Sequence, residues 1–201
     1  EAKIIVNQIL PTAGHQQSLF ANLISEGLLS EDLVYIRTND DEYEFQNIDT
    51  VKFPYEKFSD HLIVRHLLNK YLDLNNPEIS FNTNQPLGKM LAVEFKAWRY
   101  SGWIEALSIQ LPEKTGYELV QLAPHAKAWD ILQRAFLQSI IWRDPTKVTD
   151  ATKDYLNQIF VQPYGEEAVY SLLLTVAANP ENPFNARFLH HHLITLEMSD
   201  R

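Results

Sequence analysis

A chain of 201 residues that is 45% apolar and 21% charged, with no cysteine, sits in the ordinary globular range. That composition excludes collagen, low-complexity tails, disulfide miniproteins, thiolate zinc sites and Cys nucleophiles. Seventeen Lys plus Arg against 26 Asp plus Glu leave a formal charge of −9, which repels a polyanion such as DNA or an anionic membrane. Nucleic acid is therefore an unfavoured partner. The longest nearly apolar stretch, residues 170–178, is about half the roughly 20 residues a membrane helix needs. No basic-then-apolar leader opens the chain, so no membrane partner is expected and the protein reads as soluble and cytoplasmic. Because it begins at Glu1 and stops just after a helical pattern, it reads as a piece of a longer protein.

In chain order, residues 16–29 place Leu19, Phe20, Leu23 and Ile24 at helical spacing, with Gly27 where a left-handed cap would end the helix. Residues 33–37 are β-branched and aromatic, Asn39-Asp40-Asp41 supplies turn chemistry, and Tyr43-Glu44-Phe45-Gln46 alternates. Together they predict a hairpin. A third run, Thr50-Val51-Lys52-Phe53, would pair beside it until Pro54 withdraws a backbone donor. Residues 56–72 turn helical, with Val64, Leu67, Leu68, Tyr71 and Leu72 on one stripe and Phe58 and Leu62 in the core. Helix, hairpin and helix fit a winged-helix module.

Residues 73–87 concentrate Asn and Pro and predict a connector and domain border. Beyond it the pattern is helical over 92–98, 103–109 and 126–142, the last with Trp129, Leu132, Phe136 and Ile140 on one face. The block 111–118 reads as a loop and the start of a helix. Thr149 is placed to cap a helix carrying Tyr155, Leu156, Ile159 and Phe160. Val169, Leu172, Leu173 and Val176 form the next stripe, and Asn182-Pro183 opens a last helix with Phe184, Phe188, Leu189, Leu193 and Leu196 inward. The fold expectation is mainly α: a winged-helix-like domain over 1–72, a connector over 73–87, and an α-helical bundle or solenoid-like domain over 88–201.

Candidate sites are few. His190-His191-His192 diverge by about 100° per residue on a helix, so they do not converge on one ion. His192 is expected on the apolar stripe and the other two in polar surroundings. His61 and His66 stand five apart, off the i, i+4 ligand spacing, and read as structural. Gly88-Lys89-Met90 lacks the upstream Gly and the hydroxyl of a P-loop, and no G-x-S-x-G nucleophile elbow occurs. Asp40, Asp41, Glu42 and Glu44 read as a solvated turn tip. Residues 1–72 carry eleven acids and six bases, a net of −5, so a wing with this tip is electrostatically opposed to DNA. No metal ligands and no catalytic residues are assigned.

The run from Val51 to Leu68 resembles the end of the winged-helix domain of STAND-class, NACHT-like signalling NTPases. In that pattern a strand ends in Phe, a His follows two residues on, a Phe three after that, an acid next, and the helix ends in Leu-Leu. Phe53, Phe58, Asp60, Leu67 and Leu68 fit in register. The stretches Pro183 to Leu193 with Met198-Ser199-Asp200-Arg201, and Ile109 to Leu119, are similar to further segments of large prokaryotic relatives.

This resemblance implies a non-catalytic regulatory and scaffolding fragment, with no enzyme activity of its own. Its parent would be an NTPase that binds ATP or ADP with Mg, often an antiviral-defence sensor. The implied partners are an upstream NTPase domain, a downstream helical sensor region and other copies of the parent in a homo-oligomer; the fragment itself would hold no cofactor. The family's phosphate-sensing His aligns with Tyr55, a phenol that donates one hydrogen bond but cannot become cationic as imidazole does. The rival expectations are a winged-helix DNA-binding transcription regulator and a histidine-based hydrolase.

Overall fold

A computed structural model of the chain describes residues 19–39, 42–162 and 165–199. The described protein is mainly helical, with one two-stranded antiparallel sheet. It divides into two compact units that meet at Ser59 and Asp60.

The described part of the first unit begins with α1 (Leu19–Ser25). Gly27 stands at φ +69°, a conformation that suits glycine because it lacks Cβ. There its N–H donates to the Ile24 carbonyl at 3.0 Å, and the Leu28 N–H to that of Leu23 at 2.9 Å. These two bonds satisfy carbonyls that the helix end would otherwise leave bare. The hairpin then forms from β1 (Ser30–Asn39) and β2 (Glu42–Lys52), in one register from Ser30 opposite Lys52 to Arg37 opposite Phe45, with a register shift before Asn39 pairs with Glu42. Thr50 and Val51, expected to start a third strand, continue β2 and pair with Asp32 and Glu31, because a long ladder satisfies more backbone groups than a separate edge. Of the acidic tip, Glu42 and Glu44 lie on β2, while Asp40 and Asp41 lie outside the described residues.

The helix α2 (Glu56–Tyr71) begins in the first unit and continues into the second. Phe58 meets Phe53 edge to face, centroids 5.5 Å apart, yet it is 54% exposed and so is not the core residue expected. In the second unit Val64 and Leu68 are fully buried, Leu67 and Leu72 pack half-buried, and Tyr71 is exposed rather than on the stripe.

Residues 73–87 belong to the second unit and are built into its core. Phe81 and Leu87 are buried there. The short helix α3 (Pro77–Ser80) holds the turn, with the Ser80 hydroxyl accepting the Asp73 N–H at 2.9 Å. The Asn and Pro residues fold the chain back tightly, and the apolar residues between them fill the core.

A 3-10 turn, Gly88–Leu91, leads to α4 (Glu94–Ala97). The next helix, α5 (Ser101–Thr115), runs six residues beyond the expected 103–109 and contains Pro112. It ends at Gly116, φ +75°, whose N–H returns to the Pro112 carbonyl at 2.8 Å. The block 111–118 is thus a last helical turn and its left-handed cap. With Ile104, Ala106, Leu107, Ile109 and Leu111 all buried, α5 is the spine of this unit.

The short α6 (Leu119–Leu122) follows. A 3-10 turn, Pro124–Ala126, delays α7 (Asp130–Trp142), which places Leu132, Phe136 and Ile140 in the core as expected and packs along α5. Next, α8 (Asp150–Phe160) begins at Thr149, whose hydroxyl accepts the Thr152 N–H at 3.3 Å.

On α9 (Gly165–Thr175), Val169 and Leu172 are buried but Leu173 is exposed; Val176, just beyond it, is buried. The last helix, α10 (Ala186–Ser199), starts after Asn185 rather than at Pro183. Asn182 takes the Phe184 N–H at 2.9 Å in a turn, and Asn185 takes the Arg187 N–H at 3.0 Å, so the second Asn is the cap. Phe184 and Leu189 are buried; the side chains of Leu193 and Leu196 lie outside those described. Helix α9 packs on α7, α8 and α10.

Candidate functional site

Among the described residues, a dense polar constellation of the helical unit surrounds Glu118, two residues after the Gly116 cap. Its backbone N–H donates to Gln121 Oε1 at 2.8 Å, fixing the residue at the start of α6. Its carboxylate receives Arg143 in a fork, Nη1 to Oε1 at 2.6 Å and Nη2 to Oε2 at 2.8 Å. Both side chains are 1% exposed. Thr152 adds a third donor, its Oγ1 to Glu118 Oε1 at 2.5 Å.

Because that hydroxyl proton points at the carboxylate, the Thr149 hydroxyl must donate to Thr152 across 3.1 Å. The Thr149 N–H donates to the same Thr152 oxygen at 3.1 Å. Arg143 lies over the Phe136 ring, 5.2 Å from its centroid, with its Nε buried and unpartnered. The constellation joins the turn after α5, the end of α7 and the first turn of α8. Bidentate guanidinium–carboxylate geometry with an added hydroxyl is the form in which an ion pair survives loss of water.

Tyr155, one turn along α8, is buried and donates to the Lys127 carbonyl at 2.9 Å. Burial pushes its phenol well above the ordinary value, and the Glu118 charge adds to this. It therefore acts as a neutral donor, unsuited to phenolate chemistry.

The sequence-predicted candidates lie elsewhere. Tyr55 stands just before α2 and is 72% exposed. His66 is exposed, while half-buried His61 is tied to α5: Gln110 Nε2 donates to its carbonyl at 2.9 Å and lies 3.2 Å from Nδ1. That is the structural role expected of it. His190 and His191 are exposed, as expected.

His192 lies against Phe160, centroids 4.5 Å apart, and stacks at 6.4 Å on Phe188, with Nε2 buried and unpartnered. Desolvation, then the His191 charge, lowers its pKa. Among the described residues no group of three metal-ligating side chains converges, and no helix is long and apolar enough to cross a membrane. A shallow groove of about 250 Å³ between α7, α8 and α9 is lined by Gln133, Gln138, Glu167 and the Asp130–Arg134 ion pair.

Sequence reasoning missed Glu118 and Arg143. The available signal was one acid between a Gly turn and an apolar run, and one Arg ending an apolar helix; their pairing spans 25 residues. Comparison with protein-family models, curated proteins and solved structures finds no match to this chain.

Proposed function

We propose that the chain is a non-catalytic regulatory and scaffolding segment of a STAND-type signalling NTPase. Its first unit is the winged-helix-like part that responds to nucleotide state, and its helical unit passes that state on as a change of orientation. The observation that supports this reading best is the sealed Glu118–Arg143–Thr152 constellation. Groups that would be chemically competent if exposed are here spent on joining three elements. A body clasped in this way moves as one piece, which is what a mechanical relay requires.

The hairpin between α1 and α2 is compatible with a winged helix, and the resemblance over 51–68 supplies the link to the signalling class. Tyr55 is accessible and could meet a nucleotide phosphate with one hydrogen bond. Cytoplasmic location and assembly of the parent into homo-oligomers follow from the same reading.

The test has two parts. The open reading frame upstream of Glu1 is expected to carry a P-loop one NTPase domain earlier; a frame without one overturns the signalling assignment. The chain alone is expected to hydrolyse no ATP and to show no saturable duplex-DNA anisotropy at low salt. Turnover would overturn the non-catalytic reading, and tight DNA association would favour a transcription regulator instead.

A further inference from the structure

The segment from the 3-10 turn Gly88–Leu91 through α4 and the 3-10 turn Trp98–Tyr100 that continues it presents an unusual surface. Ala97 is fully buried and anchors it, while Phe95 is 78% exposed, Trp98 45% exposed and Val93 half-exposed. Phe95, Trp98 and Arg99 stand at i, i+3 and i+4 across a continuous helical stretch, so they share one face. The 3-10 turn carrying Lys89 packs against α4. Lys89, Lys96 and Arg99 are all exposed. Among the described residues none of these three side chains has a hydrogen-bond or ion-pair partner, nor does the Trp98 indole N–H; the backbone N–H groups of Lys89 and Lys96 donate within their own turns. Glu94 is the one acid between residues 88 and 100.

A single exposed aromatic is ordinary, but here two aromatics share a helical face with the unpaired Arg99, with unpaired Lys96 at the side of that face and Lys89 on the adjoining turn. Trp and Arg are also the residues that most often dominate binding energy at interfaces. The local charge is opposite to that of the whole chain, −9. An extended polyanion, whether a bilayer or a nucleic acid, would reach beyond the patch and meet the acidic remainder of the surface. A short segment stays within about one Debye length, roughly 8–10 Å, of the three cations. We propose that this face docks a short acidic segment of a partner protein carrying one or two apolar anchor side chains. The anchors would lie on Phe95 and Trp98, and the carboxylates would pair with Lys89, Lys96 and Arg99.

The experiment uses the full chain and a fluorescein-labelled synthetic peptide in which Asp and Glu alternate with Leu and Phe. Anisotropy is expected to report saturable binding that weakens as salt rises. A Phe95→Ala, Trp98→Ala variant should bind at least about tenfold more weakly, and a Lys96→Glu, Arg99→Glu variant similarly. Both should melt close to the parent, because these side chains lie outside the core. A control peptide with Ser in place of Leu and Phe should also lose about tenfold. The proposal is overturned if the labelled peptide does not bind, or binds both variants as well as the parent. It is equally overturned if phosphatidylserine vesicles or an oligo-dT probe bind more tightly than the peptide and lose that binding in the variants.

Discussion

Arg143 grips both carboxylate oxygens of Glu118, at 2.6 and 2.8 Å, from 25 residues away in the chain. With both side chains 1% exposed, neither charge has water to fall back on when its partner is removed. Glu118→Gln or Arg143→Met alone should therefore destabilise the helical unit by about 3–5 kcal/mol, as breaking a buried pair commonly does. The double change Glu118→Leu, Arg143→Met removes both charges and should recover most of that loss. Urea denaturation of the three variants checks this; single variants as stable as the parent would show that the clasp holds nothing.

The third donor is tested separately. Thr152→Val keeps the shape but leaves Glu118 Oε1 without the hydroxyl proton it receives at 2.5 Å, and should cost about 1.5–3 kcal/mol, the range for a hydrogen bond to a charged group. Thr152→Ser should cost distinctly less, because it keeps the donor. Equal losses for the two would assign the effect to packing.

Acid should loosen the end of the chain. Desolvation and then His191 lower the folded-state pKa of His192 from the ordinary 6.5. Below about 6.5 the unfolded chain therefore binds a proton that the folded one resists, and stability falls as pH drops from 6.5 toward the folded value. The melting temperature of the parent should be lower at pH 5.5 than at pH 7.5, and His192→Phe should flatten that slope. The change fits the site because the imidazole already lies between Phe160 and Phe188 with an unpartnered Nε2.

Two positions on α2 separate the expected core from the observed one. Leu68→Ala empties a fully buried site and should cost about 2–5 kcal/mol. Phe58→Ala removes a half-exposed ring whose main contact is the edge-to-face pair with Phe53. It should cost about 0.5–1.5 kcal/mol, the worth of such a pair. Thermal melts of the two variants decide between them, and a larger loss at Phe58 would reverse the assignment.

Much of the architecture was legible because it depends on local chemistry. Gly27 marked the end of α1, since a left-handed residue without a Cβ penalty satisfies the last carbonyls wherever it occurs. Thr149 marked the start of α8, and the facing of Leu132, Phe136 and Ile140 followed from helical spacing. The errors arose where two local signals competed. Pro112 read as a helix start but lies within α5, because Gly116 a turn later is the stronger terminator. Pro183 read as the first residue of α10, but Asn182 uses its side chain in a turn, leaving Asn185 to cap. The Asn- and Pro-rich stretch over 73–87 read as a connector, because composition registers the turns but not the burial of Phe81 and Leu87 between them.

By itself the sequence determined that this chain is mainly helical, where a hairpin interrupts the helices, and which short motifs it lacks, for these follow from residue type and spacing along a few turns. Only the tertiary structure decided that Glu118 finds Arg143 and Thr152, that Phe58 faces out and Leu68 in, and that Phe95 and Trp98 stay exposed on one face with an unpaired Arg99. The physical reason is range. Caps and stripes are settled within about four residues, whereas the pairing of buried charges and the exposure of a ring depend on which distant segments have already excluded water.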